Sequence, residues 1–446
     1  MINRVLATIV VLFLMNPLAI AHTARENWIN RCKNASDEEK KTFDAIRRSG
    51  ILKLNCQLAY LKMTTTKYLN LSSKGISDLS PLSGFTNLKN LNLGNNYISD
   101  LSPLAVLENI VYLHLHGNQI SDLSPLSSLP EIKKLFLGNN QISDISPLAD
   151  LNTLYFLALN GNQISNLPAL AGLTKLNDLY LHANRIQDLA PLANLIALKI
   201  LFLQDNDISD IFPLANLIGL KRLNLASNQI FSINALADLK NLRELGLSRN
   251  YIRDISPLEL HKKLILLRLG SNQISNISPL GRQKDLRTLD LDRNRIQNIS
   301  NLRSLPHLQE LNIERNQIHD ISPLDRLYFL NSLSLAENFI QDFSPARRVQ
   351  IIRGTTAQNR PRFQREFQLV TKISKIQEFE DQNADQNADQ NEDQEIVCPI
   401  CLNKYQNQEP ISVIPLCKHM FHKECLGAWL KKHDTCPCCR ISIPFK

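Results

Sequence analysis

The sequence predicts an α/β repeat solenoid of short parallel strands, followed by a small domain that folds around metal ions. Two observations predict the solenoid: a 22-residue pattern recurs through most of the chain, and each copy holds the short apolar alternation of a strand. A third observation predicts the small domain, since seven of the nine cysteines fall in the last fifty residues. The 446-residue chain has room for two or three domains.

The composition is that of an ordinary globular protein, with 43% hydrophobic and 21% charged residues. The net charge of +8 is modest for this length and is spread along the chain. Because no basic stripe stands out, the sequence does not predict a nucleic-acid partner.

Residues 1–21 have the features of a secretory signal peptide. Arg4 supplies the positive charge, an apolar run of eleven residues follows, and Ala19-Ile20-Ala21 forms a cleavage site, so the mature chain should begin near His22. An uncleaved anchor is the alternative, although a spanning helix needs about 20 apolar residues. No later segment is apolar enough to span a membrane, so we expect no membrane span after signal removal.

Residues 22–65 are predicted to form an N-terminal helical cap. Ser36 and Glu39 have the spacing of a capping box, which predicts a helix from there to about Arg48, before Gly50. Cys32 and Cys56 could form a disulfide across this cap, or they could be two reduced buried cysteines.

Residues 66–345 contain thirteen repeats. Twelve asparagines recur 22 residues apart from Asn96 to Asn338, and a degenerate first unit has Lys74 in that slot. The consensus, LxxLxLxxNxIxxIxPLxxLxx, is the leucine-rich-repeat pattern. One repeat cannot bury its leucines alone, so neighbours must stack into a continuous core. Thirteen strands predict a concave sheet roughly 60 Å long, and the proline of each unit predicts extended chain or tight turns instead of long helices on the other side.

The outward positions of the strands predict a protein-binding face. Repeats three to seven carry mostly aromatic or histidine side chains there, and exposed aromatic clusters are typical of binding hot spots. The residues predicted to bind a protein substrate on this concave face are Tyr112, His114, Phe136, Phe156, Tyr180 and Phe202. The alternative is that these rings pack on each other as a ladder without any partner. We interpret the three histidines of this face as contact residues and not as metal ligands: His114, His116 and His182.

Two segments follow the repeats. Within residues 346–379, apolar positions at three- and four-residue steps after Pro361 predict an amphipathic helix that caps the solenoid, with a membrane or dimer contact as the alternative. Residues 380–395 form an acidic linker containing a tandem DQNA repeat, which predicts disorder. The linker would tether the last domain without fixing its orientation.

The last segment, residues 396–446, carries eight cysteine and histidine ligands, enough for two tetrahedral Zn²⁺ sites. In chain order they are Cys398, Cys401, Cys417, His419, His422, Cys425, Cys436 and Cys439. A redox or disulfide cluster is the alternative, although interspersed histidines suit a metal better. Spacing alone does not assign the ligands to the two metals.

This ligand order resembles the RING-H2 finger of ubiquitin ligases. The resemblance implies two structural zinc ions: Cys398, Cys401, His422 and Cys425 would hold one, and Cys417, His419, Cys436 and Cys439 the other. It further implies a groove of Ile400, Trp429 and Pro437 for a ubiquitin-conjugating enzyme (E2), with Arg440 holding E2 and ubiquitin together. Cys438 departs from the family pattern. It could be a nucleophile, an alternative zinc ligand or, as we favour, a spare thiol.

The 22-residue repeats, with their recurrent SDISPL-like segment, resemble those of internalin-like bacterial surface and secreted proteins. Eukaryotic cytosolic proteins of the phosphatase-regulator type share the 22-residue period, so the repeat alone does not determine the kingdom. Together the two resemblances imply a RING-type ubiquitin ligase that positions E2 without forming a covalent intermediate. The signal peptide and the RING together suggest a secreted bacterial effector that acts in the cytosol of a eukaryotic host. One alternative is a secreted adhesin or scaffold whose zinc finger only binds proteins. Another is an inhibitor that acts through the repeats alone.

Overall fold

A computed structural model describes residues 17–49, 54–349, 351–353, 411–413 and 420–422. The backbone alone is described for residues 17–21 and for the last three ranges. The chain divides into two compact units, residues 1–286 and 287–446. The predicted amphipathic helix and the acidic linker lie outside the described residues.

The first unit begins with three helices, α1 (Pro17–Lys33), α2 (Asp37–Arg48) and α3 (Cys56–Thr65). The predicted capping box starts α2: the Ser36 hydroxyl accepts from the Glu39 amide, and the Glu39 carboxylate accepts from the Ser36 amide. The sequence pattern predicts a helical cap but neither α1 nor α3 as a separate helix. The N-terminal signal of α3 is the single residue Asn55, whose side chain accepts from the Leu58 amide. Within the described ranges, no helix has the length and apolar content needed to cross a membrane.

The helices pack on the first repeats around Trp28. Its ring lies 5.0 Å from that of Phe43 and 5.6 Å from that of Phe85, between centroids, and its indole N–H donates to the carbonyl of Pro81 at 2.8 Å. Cys32 and Cys56 form a disulfide that joins α1 to α3. Of the two alternatives that the sequence left open, the structure has the disulfide.

Ten short parallel strands follow in the first unit, each three residues long, paired leucine to leucine between neighbours 22 residues apart, as for Leu113 and Leu135. They are β1 (Tyr68–Asn70), β2 (Asn90–Asn92), β3 (Tyr112–His114), β4 (Lys134–Phe136), β5 (Phe156–Ala158), β6 (Asp178–Tyr180), β7 (Ile200–Phe202), β8 (Arg222–Asn224), β9 (Glu244–Gly246) and β10 (Leu266–Arg268).

Each strand of the thirteen repeats is connected to the next strand through a short 3-10 helix. Eight of these thirteen helices begin with the sequence Ser-Pro-Leu or Ser-Pro-Ala. In the first unit they are Ser80–Leu82, Ser102–Leu104, Ser124–Ser128, Ser146–Leu148, Pro168–Leu170, Ala190–Leu192, Phe212–Leu214, Asn234–Leu236, Ser256–Leu258 and Ser278–Arg282; in the second they are Ser300–Ser304, Ser322–Arg326 and Ser344–Ala346. Proline suits these turns because its ring fixes φ and the first N–H of a helix needs no partner.

The second unit continues the same pattern. Its parallel strands with the 22-residue spacing are β11 (Thr288–Asp290), β12 (Glu310–Asn312) and β13 (Ser332–Ser334). One parallel strand more than the thirteen predicted, β14 (Ile351–Arg353), pairs with β13 after a shorter step and lies in the segment predicted to cap the solenoid. Further along lies an antiparallel pair, β15 (Ile411–Val413) and β16 (Met420–His422). The predicted fold class, a leucine-rich-repeat solenoid of short parallel strands, is confirmed.

The regular 22-residue spacing of the asparagines has a direct structural cause. Asn206, 8% exposed, accepts from the amide of Ile186 at 3.0 Å and donates to carbonyls of its own repeat and of the preceding one, including Leu181 at 3.1 Å. Each repeat therefore fastens itself to its neighbour through one side-chain amide, which has both donors and an acceptor. The leucines at the other slots are close to fully buried, as Leu201 and Leu203 are.

Two adjacent repeats break this pattern of apolar burial. Most repeats of the first unit place leucine at the slot that His261 and Gln283 occupy, and both of these polar side chains are fully buried. The His261 Nε2 atom lies 3.0 Å from the carbonyl oxygen of Leu236, and the Gln283 amide donates to the carbonyl of Leu258. The His261 Nδ1 and Gln283 Oε1 atoms have no hydrogen-bond partner.

Candidate functional site

The first candidate site is the outward face of strands β3 to β7. Parallel pairing without any slip brings residues 22 apart side by side, so that all six predicted substrate-binding residues lie on this face. Five of their rings form a continuous series, which we call the aromatic column: His114, Phe136, Phe156, Tyr180 and Phe202. Each ring is half-buried and retains a surface that faces solvent.

The rings of the aromatic column are in direct contact. His114 stacks on Phe136 with centroids 4.0 Å apart, and Phe136 lies 4.4 Å from Phe156. Centroid distances of 5.4 Å and 5.2 Å then join Phe156 to Tyr180 and Tyr180 to Phe202. All four distances fall at or near the range of favourable aromatic pairs, which contribute about 0.5–1.5 kcal/mol each.

A small residue makes the continuity possible. Ala158 pairs in register with Phe136 on one side and Tyr180 on the other, so its position in this row carries no ring. Phe156, two residues earlier on the same strand, contacts both rings and closes the gap. The column therefore depends on a bulky residue and a small residue within one strand, β5.

Cations flank the aromatic column. The Lys134 ammonium lies 5.3 Å from the ring centroid of Tyr155 and 5.6 Å from that of Tyr112. At the other end, the Arg222 guanidinium lies 5.3 Å from the Phe202 ring and donates to the Glu244 carboxylate at 2.6 Å. Both cations are thus engaged with groups of the chain itself.

Two histidines of this face, His114 and His182, have a lowered pKa and so favour the neutral form. Burial lowers the pKa of His114, and the nearby charges of His116 and Lys134 lower it further. Burial also lowers the pKa of His182. Within the described part of the chain, no three histidine, cysteine or acidic side chains lie close enough together to hold a metal ion.

Sequence reasoning missed three residues of this face. Ala158 and Asp178 occupy the same repeat positions as Phe136 and Phe156, so the 22-residue spacing could have found them. Tyr155 stands just before β5, outside the strand pattern, and its ring reaches Lys134 only through the fold.

The second candidate site is the ligand-rich segment. Of its eight ligands only His422 falls in the described backbone, where it pairs with Ile411 across β15 and β16. The other seven ligands lie outside the described residues, as do Ile400, Trp429, Pro437 and Arg440. The donor set itself suits zinc, since six thiolates and two imidazoles divide into two sets of three cysteines and one histidine, a usual structural zinc set.

Comparison with known proteins identifies both parts of the chain. Residues 396–440 match the family described as Ring finger domain. Leucine-rich repeats (2 copies) match at 67–106, 108–150, 154–194, 219–260 and 284–326.

The first part resembles solved bacterial structures. An internalin (inlF) of Listeria monocytogenes is 31% identical, with a TM-score of 0.68 over 74% of this chain and 97% of that chain. A leucine-rich-repeat protein of Leptospira interrogans, 21% identical with a TM-score of 0.55, covers 66% of this chain and 90% of that one, and shows the fold alone.

The last part resembles plant proteins of Arabidopsis thaliana. RING-H2 finger protein ATL22 is 52% identical over 46 residues, which are 10% of this chain and 12% of that protein. E3 ubiquitin-protein ligase ATL31 is 48% identical over 46 residues, again 10% and 12%. The chain thus spans about an eighth of the length of these relatives. The chain belongs to the internalin-like leucine-rich-repeat proteins and carries a RING-H2 finger, a zinc-binding domain, near its carboxyl end.

Proposed function

We propose that this protein is a RING-type E3 ubiquitin transferase that binds its protein substrate through the leucine-rich repeats. The observation that carries the proposal is the eight-ligand set within the Ring finger match at residues 396–440. The proteins similar to this segment include two that are named E3 ubiquitin-protein ligases, ATL31 and ATL6.

The proposed reaction requires positioning and no covalent intermediate on this chain. The groove of Ile400, Trp429 and Pro437 binds an E2 whose cysteine carries ubiquitin as a thioester, and Arg440 holds the two together. A substrate lysine amine attacks the thioester carbon, an amide forms to ubiquitin, the E2 thiolate leaves, and the amine loses a proton. Two zinc ions, each held by three cysteines and one histidine, would supply the folding free energy of a segment too short for its own apolar core.

The aromatic column is the proposed substrate-binding face. A partner that covers the solvent-facing surfaces of these half-buried rings displaces water from them. Little side-chain entropy is lost on binding, because contacts between the rings already order them. The alternative, in which the rings only stabilise the repeats, rests on the same short ring distances. The acidic linker would let one bound substrate present several lysines to the RING.

The proposed site of action is the cytosol of a eukaryotic host, after secretion from the producing cell. Two observations support it: the signal-peptide features of residues 1–21, and the pairing of a bacterial type of repeat with a RING-H2 finger like those of plants. Mass spectrometry of the exported protein tests the first step. A mature N-terminus at or near His22 is expected, and an exported chain that retains residues 1–21 would contradict it.

The decisive experiment is in vitro ubiquitination by the chain from His22 onward, with a panel of E2 enzymes. Ubiquitin chains are expected with at least one E2. Cys398→Ser, which removes a zinc ligand, and Trp429→Ala, which removes the main apolar contact with E2, should each abolish them. Cys438→Ser is the matched control, since it changes a cysteine that is not a ligand and should keep activity.

The same experiment distinguishes the alternatives. A chain that binds zinc but forms no ubiquitin conjugates with any E2 would be a scaffold or adhesin. Loss of activity in Cys438→Ser together with a ubiquitin thioester on the parent would indicate covalent transfer. A biological effect that survives removal of residues 396–446 would indicate an inhibitor acting through the repeats.

A further inference from the structure

One carboxylate lies among the rings of the outward face. Asp178 in β6 pairs in register with Phe156 in β5 and Ile200 in β7, so an apolar side chain flanks it on each neighbouring strand. Tyr180 stands two residues further along the same strand, on the same face. Asp178 is partly buried, in the middle of the longest run of aromatic contacts on the face.

This carboxylate has no partner. Within the part of the chain that the structure describes, no hydrogen bond or ion pair to the Asp178 carboxylate is present. Partial burial disfavours the charged form of the carboxylate and so raises the pKa of Asp178. The positive charges of Lys134 and Arg222 lower this pKa, but by less. A partly buried charge without a partner loses some of its hydration and gains no pairing in return.

The two cations within electrostatic range do not neutralise it by contact. The Arg222 guanidinium is already paired with Glu244 and lies against the Phe202 ring. The Lys134 ammonium lies among three rings, those of Tyr112, Tyr155 and Phe156. In register, Lys134, Asp178 and Arg222 stand on every second strand, so the backbone positions of the two cations are each about 10 Å along the sheet from that of Asp178.

We propose that Asp178, together with the rings of Phe156 and Tyr180, forms a subsite for a lysine or arginine side chain of the protein substrate. The ring centroids of Phe156 and Tyr180 are 5.4 Å apart, too close to admit a cation between them, so an ammonium or guanidinium group would lie over their solvent-facing surfaces while it pairs with the carboxylate. Charge complementarity selects the occupant: an acidic side chain would be repelled, and an apolar one would leave the carboxylate desolvated and unpaired. This inference rests on the proposed role of the aromatic column in substrate binding.

The test uses random peptides displayed on phage, selected in parallel on the whole parent protein, on Asp178→Asn and on Phe156→Ala. Peptides selected on the parent should be enriched in lysine or arginine at one position next to apolar residues. The Asp178→Asn protein should select apolar peptides without that basic position. Asp150→Asn is the matched control, because it makes the same chemical change at an exposed carboxylate outside the strands.

Binding of one selected peptide then gives the magnitude. Asp178→Asn should weaken it about tenfold or more, the size expected for a hydrogen bond to a charged group, whereas Asp150→Asn should leave it unchanged. Asp178→Lys should select for peptides in which glutamate replaces the basic residue. One cooperative thermal unfolding transition in the parent and in each of the four variants would confirm that they are folded.

The outcomes separate this inference from the substrate-binding proposal. Peptides that require Phe156 but show no basic preference, or the same preference in Asp178→Asn, overturn the subsite alone. Peptides that bind equally well to Phe156→Ala overturn both proposals, as does the selection of no peptide at all.

Discussion

The inward face of strands β3 to β7 is nearly the same in every repeat, whereas their outward face changes from one strand to the next. Inward, leucines such as Leu135 and Leu157 are fully buried, and each asparagine makes the same set of backbone hydrogen bonds. Outward, neighbouring strands present His114, Phe136, Ala158 and Tyr180 in one row.

This difference separates the residues that hold the repeats together from those that can contact a partner. The inward residues make one repeat fasten to the next, and any departure from the pattern costs stability. The outward residues contact each other and solvent, so they are free to vary and can specify a partner. Changes on the two faces should therefore affect different measurements, and the following three predictions test this, from the largest effect to the smallest.

The largest effect is expected from breaking one inward asparagine. In Asn206→Ala, the carbonyls that accept from Asn206 keep other donors, but the Ile186 amide is left buried without its acceptor. With the lost hydrogen bonds and the small cavity, the free energy of unfolding should fall by about 3 kcal/mol. Urea denaturation followed by circular dichroism measures it.

The control for this prediction is Asn194→Ala, since Asn194 is exposed and stands outside the strands. A loss of less than about 0.5 kcal/mol is expected there. Equal losses in the two variants would show that the asparagine ladder does not hold the repeats together.

A smaller effect is expected from breaking the outward column. Phe156→Ala removes two ring contacts, with Phe136 and Tyr180, from a side chain that is only half-buried. The loss in stability should be about 1–2 kcal/mol, while binding of peptides selected on the parent should disappear. Phe212→Ala, at a ring that is 75% exposed on a 3-10 turn, should change neither. If Phe156→Ala destabilised the chain as much as Asn206→Ala, the division between the two faces would be wrong.

The smallest effect is expected from repairing the inward pattern. In His261→Leu, the consensus leucine replaces a fully buried histidine whose Nδ1 atom has no partner, and the Leu236 carbonyl keeps the Leu239 amide as a donor. The variant should gain about 1 kcal/mol at pH 7.5. A loss of stability would mean that the His261 hydrogen bond outweighs its burial.

The same variant has a predicted pH dependence. Burial lowers the pKa of His261 in the folded state below its usual value of about 6.5, so the unfolded chain binds the proton more readily. The parent therefore keeps its full stability above pH 6.5 and loses some as the pH falls through the folded pKa. The gap between His261→Leu and the parent should widen from pH 7.5 to pH 5, because the other histidines are common to both chains.

The amino-acid sequence alone determined the repeat and most of its consequences. The 22-residue spacing places every leucine and asparagine, because a parallel stack without slips must bring equivalent residues together, and Ser36 and Glu39 set the start of α2 by local hydrogen bonds. The six predicted residues of the outward face share that face for the same reason. The ligand set of the RING-H2 finger is likewise a property of spacing and side-chain chemistry.

Only the tertiary structure decided which side chains contact which. The Cys32–Cys56 disulfide requires α1 and α3 to be neighbours, and the contact of Lys134 with Tyr155 crosses between repeats. The contacts of Phe156 with the rings on either side of the Ala158 position, and the lack of a partner for Asp178, depend on side-chain rotamers and on partial burial. A residue pattern specifies the position of a side chain, but burial and neighbours that are distant in sequence determine its contacts and its pKa.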